Sequence, residues 1–258
     1  MHFHFDFSAR QILWTLTFAS QLVLLVVLIG RDRARRYPWF TASIALFAVG
    51  LMADILLSGR MAAVPFNETL LTLANLSVIV SLLVLIEVAW QAFAQVSRAQ
   101  WIANTLGLLI VAGGILAVWG PWPVRSQMAL DTLLGKLKLM QLLAQKGNTL
   151  ADLLAVGVMV LVALFGSRFK AGWRSHTQMI AIGLSTVAIS SLAVQGTIQH
   201  IVRTVHPQSQ AEYERILDLI NKLGNASKAV YIAVLVWWII WLWCDEPAAE
   251  TTQPEERP

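Results

Sequence analysis

Residues 11–29 read QILWTLTFASQLVLLVVLI, a stretch that contains no charged residue. A helix rises about 1.5 Å per residue, so this stretch is long enough to cross the roughly 30 Å of hydrocarbon in a bilayer. Its apolar residues run on without the alternation that the strands of a membrane barrel require. The stretch therefore predicts a transmembrane helix close to the N-terminus.

The same pattern recurs along the chain and predicts an all-α, polytopic membrane protein, a seven-helix transmembrane bundle. Of the 258 residues, 57% are hydrophobic and 13% are charged, whereas a soluble domain usually carries about 25% charged residues. The predicted transmembrane domain covers residues 1–245. Its spans are about 11–29, 39–57, 70–94, 102–120, 150–166, 177–199 and 223–244. Residues 246–258 are polar and acidic, and they are predicted to form a disordered cytoplasmic tail.

Basic residues predict the orientation of this bundle. Short basic loops stay in the cytoplasm, and the first predicted loop carries Arg31, Arg33, Arg35 and Arg36. We therefore expect the N-terminus outside and the C-terminus in the cytoplasm, in an inner (plasma) membrane of bacterial type. Arginines beside anionic lipid account for the net charge of +4 without any nucleic acid. The expected partners are the lipid bilayer and, as a further candidate, other membrane proteins.

Two further segments are predicted to lie on the outer side. Residues 127–146 place polar residues on one helical face and leucines on the other, which predicts an amphipathic helix on the membrane or capping the bundle. Residues 209–225 are predicted to extend the last span outward as one helix. Ser209–Glu212 and Thr149–Asp152 both fit the capping box, in which a hydroxyl and an acid satisfy free N–H groups where a helix begins.

Polar side chains inside the predicted spans are costly to place in lipid, so they mark candidate functional positions. Several are expected in the outer half of the bundle, where they are predicted to converge on a ligand-binding or ion-binding pocket. These residues are Asp54, Asn75, Asp152, Gln195, His200 and Lys228. Lys228 would need a carboxylate partner there, and Asp54 and Asp152 are the candidates. The alternative is that each residue is solvated at the membrane rim or snorkels to it.

Other residues within the spans have predicted structural roles. Glu87, near the inner end of the third span, is interpreted as a solvated interfacial carboxylate, with a proton-relay role as the alternative. Gln21 is expected to form a hydrogen bond to another helix. Small residues let helices approach closely, so Gly183 on the sixth span and Gly107 and Gly114 on the fourth predict packing faces.

Several chemistries are disfavoured by the motifs that the sequence lacks. It contains no H-E-x-x-H, no G-x-S-x-G and no phosphate-binding glycine loop with lysine. A haem held by two histidines needs them on facing helices, but only the sixth predicted span carries histidines, at its opposite ends. A retinal site needs a lysine in mid-membrane, and Lys228 is predicted to lie further out. We therefore predict no enzymatic activity, no cofactor and no metal site.

The element Arg35-Arg36-Tyr37-Pro38-Trp39-Phe40, between the first two spans, resembles one found in uncharacterised bacterial seven-helix multi-pass membrane proteins of similar length. The resemblance covers the first two helices and implies no activity. In physical terms, the arginines would bind lipid phosphates and the proline would occupy the first turn of the second helix.

The sequence predicts a non-enzymatic, receptor-like or accessory membrane protein that binds a ligand or a partner on the outer side. The alternative is a small-solute or ion transporter or channel. It draws on a weak sequence similarity between the end of the first span, residues 25–31, and the end of the fifth, residues 161–168. A 3+1+3 helix repeat would produce that similarity. Against transport, no proline interrupts the middle of a predicted span.

Overall fold

The computed structural model describes residues 9–92, 98–118, 132–165, 176–205 and 209–245. These residues form eight α-helices and no strand, which confirms the predicted all-α class. The helices are α1 (Ala9–Gly30), α2 (Arg33–Arg36), α3 (Pro38–Leu57), α4 (Ala63–Ala92), α5 (Arg98–Val118), α6 (Leu133–Phe165), α7 (His176–Thr204) and α8 (Gln210–Trp243). The predicted tail, 246–258, lies outside the described residues.

Six of these helices, α1, α3, α4, α6, α7 and α8, are long and apolar enough to cross a membrane. The fourth predicted span, 102–120, corresponds to α5. Among the residues whose side chains are described, α5 contributes the apolar stretch Thr105–Val118. The predicted continuity of the last span with its preceding segment is confirmed by α8. Its N-cap is Ser209, whose hydroxyl accepts a hydrogen bond from the backbone N–H of Glu212 at 3.3 Å.

A single helix, α6, replaces two predicted elements, the amphipathic helix 127–146 and the span 150–166. The capping box predicted at Thr149 is wrong, because Thr149 lies inside α6 and its hydroxyl donates to the carbonyl oxygen of Gln145 at 2.9 Å. The polar junction continues as a helix, and within it Gly147 packs against α4. A Cβ atom at that position would lie 2.5 Å from Cγ1 of Val78.

The six long helices form a closed ring. In order around the ring, α1 packs on α3, α3 on α4, α4 on α6, α6 on α7, α7 on α8, and α8 on α1. Helix α5 lies outside this ring and packs on α6. The apolar core is inside the ring and includes Leu24, Val84, Ile180 and Leu235.

One end of the bundle holds the arginines of the α1–α3 connection, and we call it the arginine end. There Arg33 forms an ion pair with Asp245 at 3.3 Å, and Nε2 of His176 lies 3.0 Å from the carbonyl oxygen of Cys244. Helix α5 runs antiparallel to α6, because Leu108 lies against Gly157 while Ala112, one turn later, packs near residues 151–155. Helix α5 therefore carries the chain away from the arginine end, and the long helices of the described residues run in alternating directions.

The element 35–40 is bonded to two other helices at the arginine end, α4 and α7. The Thr177 hydroxyl donates to Oε1 of Gln91 at 3.1 Å, so the Tyr37 hydroxyl, 2.9 Å away, donates to Thr177. Nε2 of Gln91 donates to the carbonyl oxygen of Arg36 at 2.7 Å. Pro38 occupies the first turn of α3, as predicted. These bonds tie the start of α3 to α4 and α7.

Glu87 of α4 caps the N-terminus of α3. Its carboxylate oxygens accept hydrogen bonds from the backbone N–H groups of Trp39 at 3.3 Å and of Phe40 at 3.0 Å. The first N–H groups of a helix have no partner within the helix, and the helix dipole favours a negative charge there. The interpretation of Glu87 as a solvated carboxylate is therefore wrong, since its partners are backbone groups of the neighbouring helix.

Glu87→Ala should destabilise the protein by about 1–3 kcal/mol, because two backbone donors lose a charged acceptor. Glu87→Gln, which keeps one acceptor oxygen, should cost less. Unfolding in detergent micelles measures both changes. Glu68→Ala serves as the control, since Glu68 is an exposed residue of the same helix. Equal losses for Glu87→Ala and Glu68→Ala would contradict the capping role.

Candidate functional site

Two adjoining cavities lie inside the ring of helices. One, of about 300 Å³, is lined by α3, α4, α6, α7 and α8, and the other, of about 410 Å³, by α1, α3, α4, α6 and α8. Phe47, Asn148 and Tyr231 line both, so we treat the two as lobes of one interior cavity. We call them the aspartate lobe, which contains Asp152, and the lysine lobe, which contains Lys228. Their volumes fall in the range of small-molecule sites.

A chain of hydrogen bonds leads to Asp152 in the aspartate lobe. The Thr149 hydroxyl contacts Oε1 of Gln195 at 3.2 Å, and Nε2 of Gln195 donates to the hydroxyl oxygen of Ser191 at 3.3 Å. The Ser191 hydroxyl in turn lies beside the Asp152 carboxylate. Because the Thr149 hydroxyl donates to Gln145, the one oriented bond of this group runs from Gln195 to Ser191, toward the carboxylate.

Helical spacing explains why these four side chains meet. Thr149 and Asp152 are three residues apart on α6, and Ser191 and Gln195 are four residues apart on α7, so each pair shares one helix face. The two faces oppose each other because α6 packs on α7. The rest of the lobe is mostly apolar, as in typical small-molecule sites. Its apolar lining includes Ile44, Val84, Leu85, Leu184 and Val187.

The lysine lobe has polar groups on α1, α6 and α8. Nε2 of Gln21 donates to the Tyr231 hydroxyl at 3.2 Å, which provides the predicted interhelical bond. Gln21 is only 1% exposed, yet its Oε1 has no hydrogen-bond partner among the described residues, and neither has Nε1 of Trp14. Lys228 forms no ion pair with a described carboxylate. Its predicted pairing with Asp54 or Asp152 is therefore wrong.

The structure brings three of the six predicted site residues to the cavity, namely Asp152, Gln195 and Lys228. Asn75 lines neither lobe; its amide donates to the carbonyl oxygens of Leu71 at 2.8 Å and Met140 at 3.0 Å, which ties α4 to α6. Asp54, half-buried, and His200, exposed, also line neither lobe.

Sequence reasoning missed Asn148, Ser191 and Tyr231, although each carries a usable signal. Asn148 and Ser191 lie four residues before Asp152 and Gln195, and Tyr231 lies three residues after Lys228. Each therefore shares a helix face with a polar residue that was singled out.

An aromatic pair closes the aspartate lobe toward the arginine end. Phe40 and Trp238 both line the lobe, and their rings meet edge to face with centroids 5.0 Å apart. The indole N–H of Trp238 donates to the carbonyl oxygen of Met179 at 3.2 Å. Gly183 lies directly against the indole, and a Cβ atom there would clash with it. Beyond this pair lies the hydrogen-bonded network of Tyr37.

Comparison with known proteins finds no matching family model, no similar curated protein and no similar solved structure. The class of the protein follows from the fold itself. Six helices with the length and apolar character of membrane spans make this a helical multi-pass membrane protein, and its ring encloses a cavity with polar groups from α6, α7 and α8.

Proposed function

We propose that this protein is a non-enzymatic, receptor-like or accessory protein of an inner membrane that binds a small solute in its interior cavity. In this proposal α5 is the seventh span, the N-terminus lies outside and the arginine end faces the cytoplasm. The basic residues of the α1–α3 connection support this orientation. The solute enters from the outer side, because the aromatic pair and the Tyr37 network close the arginine end.

The observation that carries the proposal is the setting of Asp152. A charged side chain within a membrane-spanning helix is costly, and it usually faces a cavity or a partner. Asp152 lines the cavity, lies beside the Ser191 hydroxyl and forms no ion pair with a described cation. A carboxylate supported in this way, with a cavity in front of it, is typical of a ligand-binding site.

The depth of the cavity favours transport as the second candidate function. The aspartate lobe extends from Gln195 to Phe40 and Trp238, which are close to the arginine ends of their helices. Only the aromatic pair and the Tyr37 network separate it from that end. A transporter must expose its site to the two sides in turn, and rearrangement of the aromatic pair would open the second side.

Cysteine accessibility tests the proposed function and separates it from transport. In a Cys244→Ser background, the variants Asn148→Cys, in the cavity, and Val160→Cys, exposed on α6 but outside the cavity, are treated with a charged, membrane-impermeant methanethiosulfonate. Right-side-out and inside-out vesicles are compared. We expect Asn148→Cys to react from the outer side only and Val160→Cys from neither side, because a charged reagent does not enter lipid.

Two other outcomes are informative in this experiment. Reaction of Asn148→Cys from both sides would favour the transporter. Absence of reaction from either side, or reaction from the inner side alone, would contradict a cavity that opens outward.

A further inference from the structure

The two lobes of the interior cavity carry opposite charges. Among the described residues that line the aspartate lobe, Asp152 is the one with a charged side chain, and in the lysine lobe that residue is Lys228. Neither forms an ion pair with another described residue. The cavity therefore contains one carboxylate and one ammonium group that are not paired with each other.

The same few residues connect the two charges. Asn148 and Tyr231 line both lobes. Asp152 follows Asn148 by four residues on α6, and Lys228 precedes Tyr231 by three residues on α8, so each charge stands about one helical turn from a residue shared by the lobes. This spacing puts both charges within reach of a single small molecule.

We propose that the cavity binds a small zwitterionic solute, with its ammonium group at Asp152 and its carboxylate at Lys228. This inference rests on the proposed function, that the cavity binds a solute, and adds the chemical class of that solute. Asp152 is half-buried, and a charge held away from water is costly unless an opposite charge pairs with it. Lys228 is exposed and lines the lysine lobe, where its ammonium group is available to an anion. A zwitterion pairs both residues at once, whereas a solute with one charge leaves the other residue unpaired.

The neutral polar groups of the lysine lobe suit the carboxylate end. The Tyr231 oxygen accepts a bond from Gln21, so its own proton is free to be donated into the lobe. The Asn148 side chain forms no hydrogen bond with a described residue and supplies an amide N–H₂. Together with the Lys228 ammonium, these donors match the acceptor oxygens of a carboxylate.

The remaining groups suit the other parts of such a solute. An ammonium group offers three donors, and Asp152 is the charged acceptor of its lobe. Between the charges, Phe47 lines both lobes and offers an apolar surface to a short chain of methylene groups.

Three probes of similar length test this inference in calorimetric titrations of the full chain in lipid nanodiscs. They are ε-aminocaproate, which carries both charges, caproate, which carries only the negative one, and hexylammonium, which carries only the positive one. Empty nanodiscs correct for partition into lipid, and γ-aminobutyrate tests a shorter separation of the charges. We expect the better of the two zwitterions to bind about tenfold more tightly than either singly charged probe, as one further charged hydrogen bond implies.

Two variants assign the ends of the solute. Asp152→Asn should abolish the preference for ε-aminocaproate over caproate, and Lys228→Met should abolish the preference over hexylammonium. Lys222→Met is the control, because Lys222 forms its ion pair with Asp218 on the exposed surface of the same helix at 2.8 Å. That substitution should leave all affinities unchanged. If a variant fails to fold, the relative affinities of the probes for the unaltered protein still test the inference.

Three results would overturn the inference. The first is equal affinity for zwitterions and singly charged probes, and the second is the absence of binding by every probe. The third is unchanged binding of ε-aminocaproate by Lys228→Met, which would place that ammonium at lipid headgroups. None of these results changes the outcome of the cysteine accessibility experiment. A zwitterion that does not bind would therefore overturn the chemical class of the solute, whereas an unreactive Asn148→Cys would overturn the proposed function.

Discussion

Trp238→Ala should destabilise the protein by about 3–5 kcal/mol, the usual cost of truncating a buried large aromatic residue. Trp238 is 2% exposed, packs edge to face on Phe40, and donates its indole N–H to Met179. Truncation removes these contacts and leaves a void between α3, α7 and α8 that the neighbouring helices fill only in part. Unfolding in detergent micelles, followed by the loss of helical circular dichroism, measures the change.

Its neighbour in the sequence provides a matched control. Trp237 is 39% exposed and contacts Trp241, with ring centroids 5.5 Å apart, so Trp237→Ala should cost less than about 1 kcal/mol. Similar losses for the two alanine variants would contradict the role given to Trp238.

The Trp238→Ala substitution also bears on the two proposed functions, because removing the indole opens the aspartate lobe toward the arginine end. Combined with Asn148→Cys, Trp238→Ala should allow the thiol to react from the inner side.

Gly183→Ala should destabilise the protein by about 1–3 kcal/mol through overpacking. The added methyl group would clash with three atoms of the Trp238 ring. That ring is rigid and buried, so relief requires α7 and α8 to move apart. Gly114→Ala on α5 is the control, because a Cβ atom there meets nothing within 4 Å. It should be neutral or slightly stabilising, since alanine favours the helix over glycine.

A double-mutant cycle makes this prediction specific to the contact. Trp238→Phe removes the part of the indole that meets the new methyl group, so Gly183→Ala should cost much less in that background. Residues in contact commonly show a coupling of about 0.5–3 kcal/mol. Strictly additive effects would show that the methyl group at position 183 acts elsewhere.

Much of the fold was predictable because lipid imposes a simple rule on the sequence. A helix that crosses hydrocarbon must be apolar over about 20 residues, and this rule located the spans that became α1, α3, α4, α7 and α8. It failed at the junction near Gly147, where polar residues were read as an interruption. Polarity indicates only that a segment can leave the membrane; here the helix continues through the polar residues, with Gly147 against Val78 of α4.

The candidate site was less predictable because hydropathy does not define how a helix is rotated about its axis. On α3, which is apolar on nearly all sides, the residues that line the cavity are Phe40, Ser43, Ile44, Leu46, Phe47, Gly50 and Leu51. Asp54 continues this stripe one turn beyond the lysine lobe. The sequence identified Asp54 as polar, but only contacts between helices show where the cavity ends.

The pairing that closes the ring joins the first long helix of the chain to the last. Helix α8 ends about 200 residues after α1, and ribosomes add roughly 5–20 residues each second. During synthesis, about 10–40 seconds therefore pass between the synthesis of α1 and that of α8, whose Tyr231 hydroxyl accepts the hydrogen bond from the Gln21 amide. Until then that amide lacks its Tyr231 partner, and α1 has only α3 as a long neighbour in the ring. A premature stop codon before α8 would make this temporary condition permanent, so such truncated chains should be early substrates for membrane proteases.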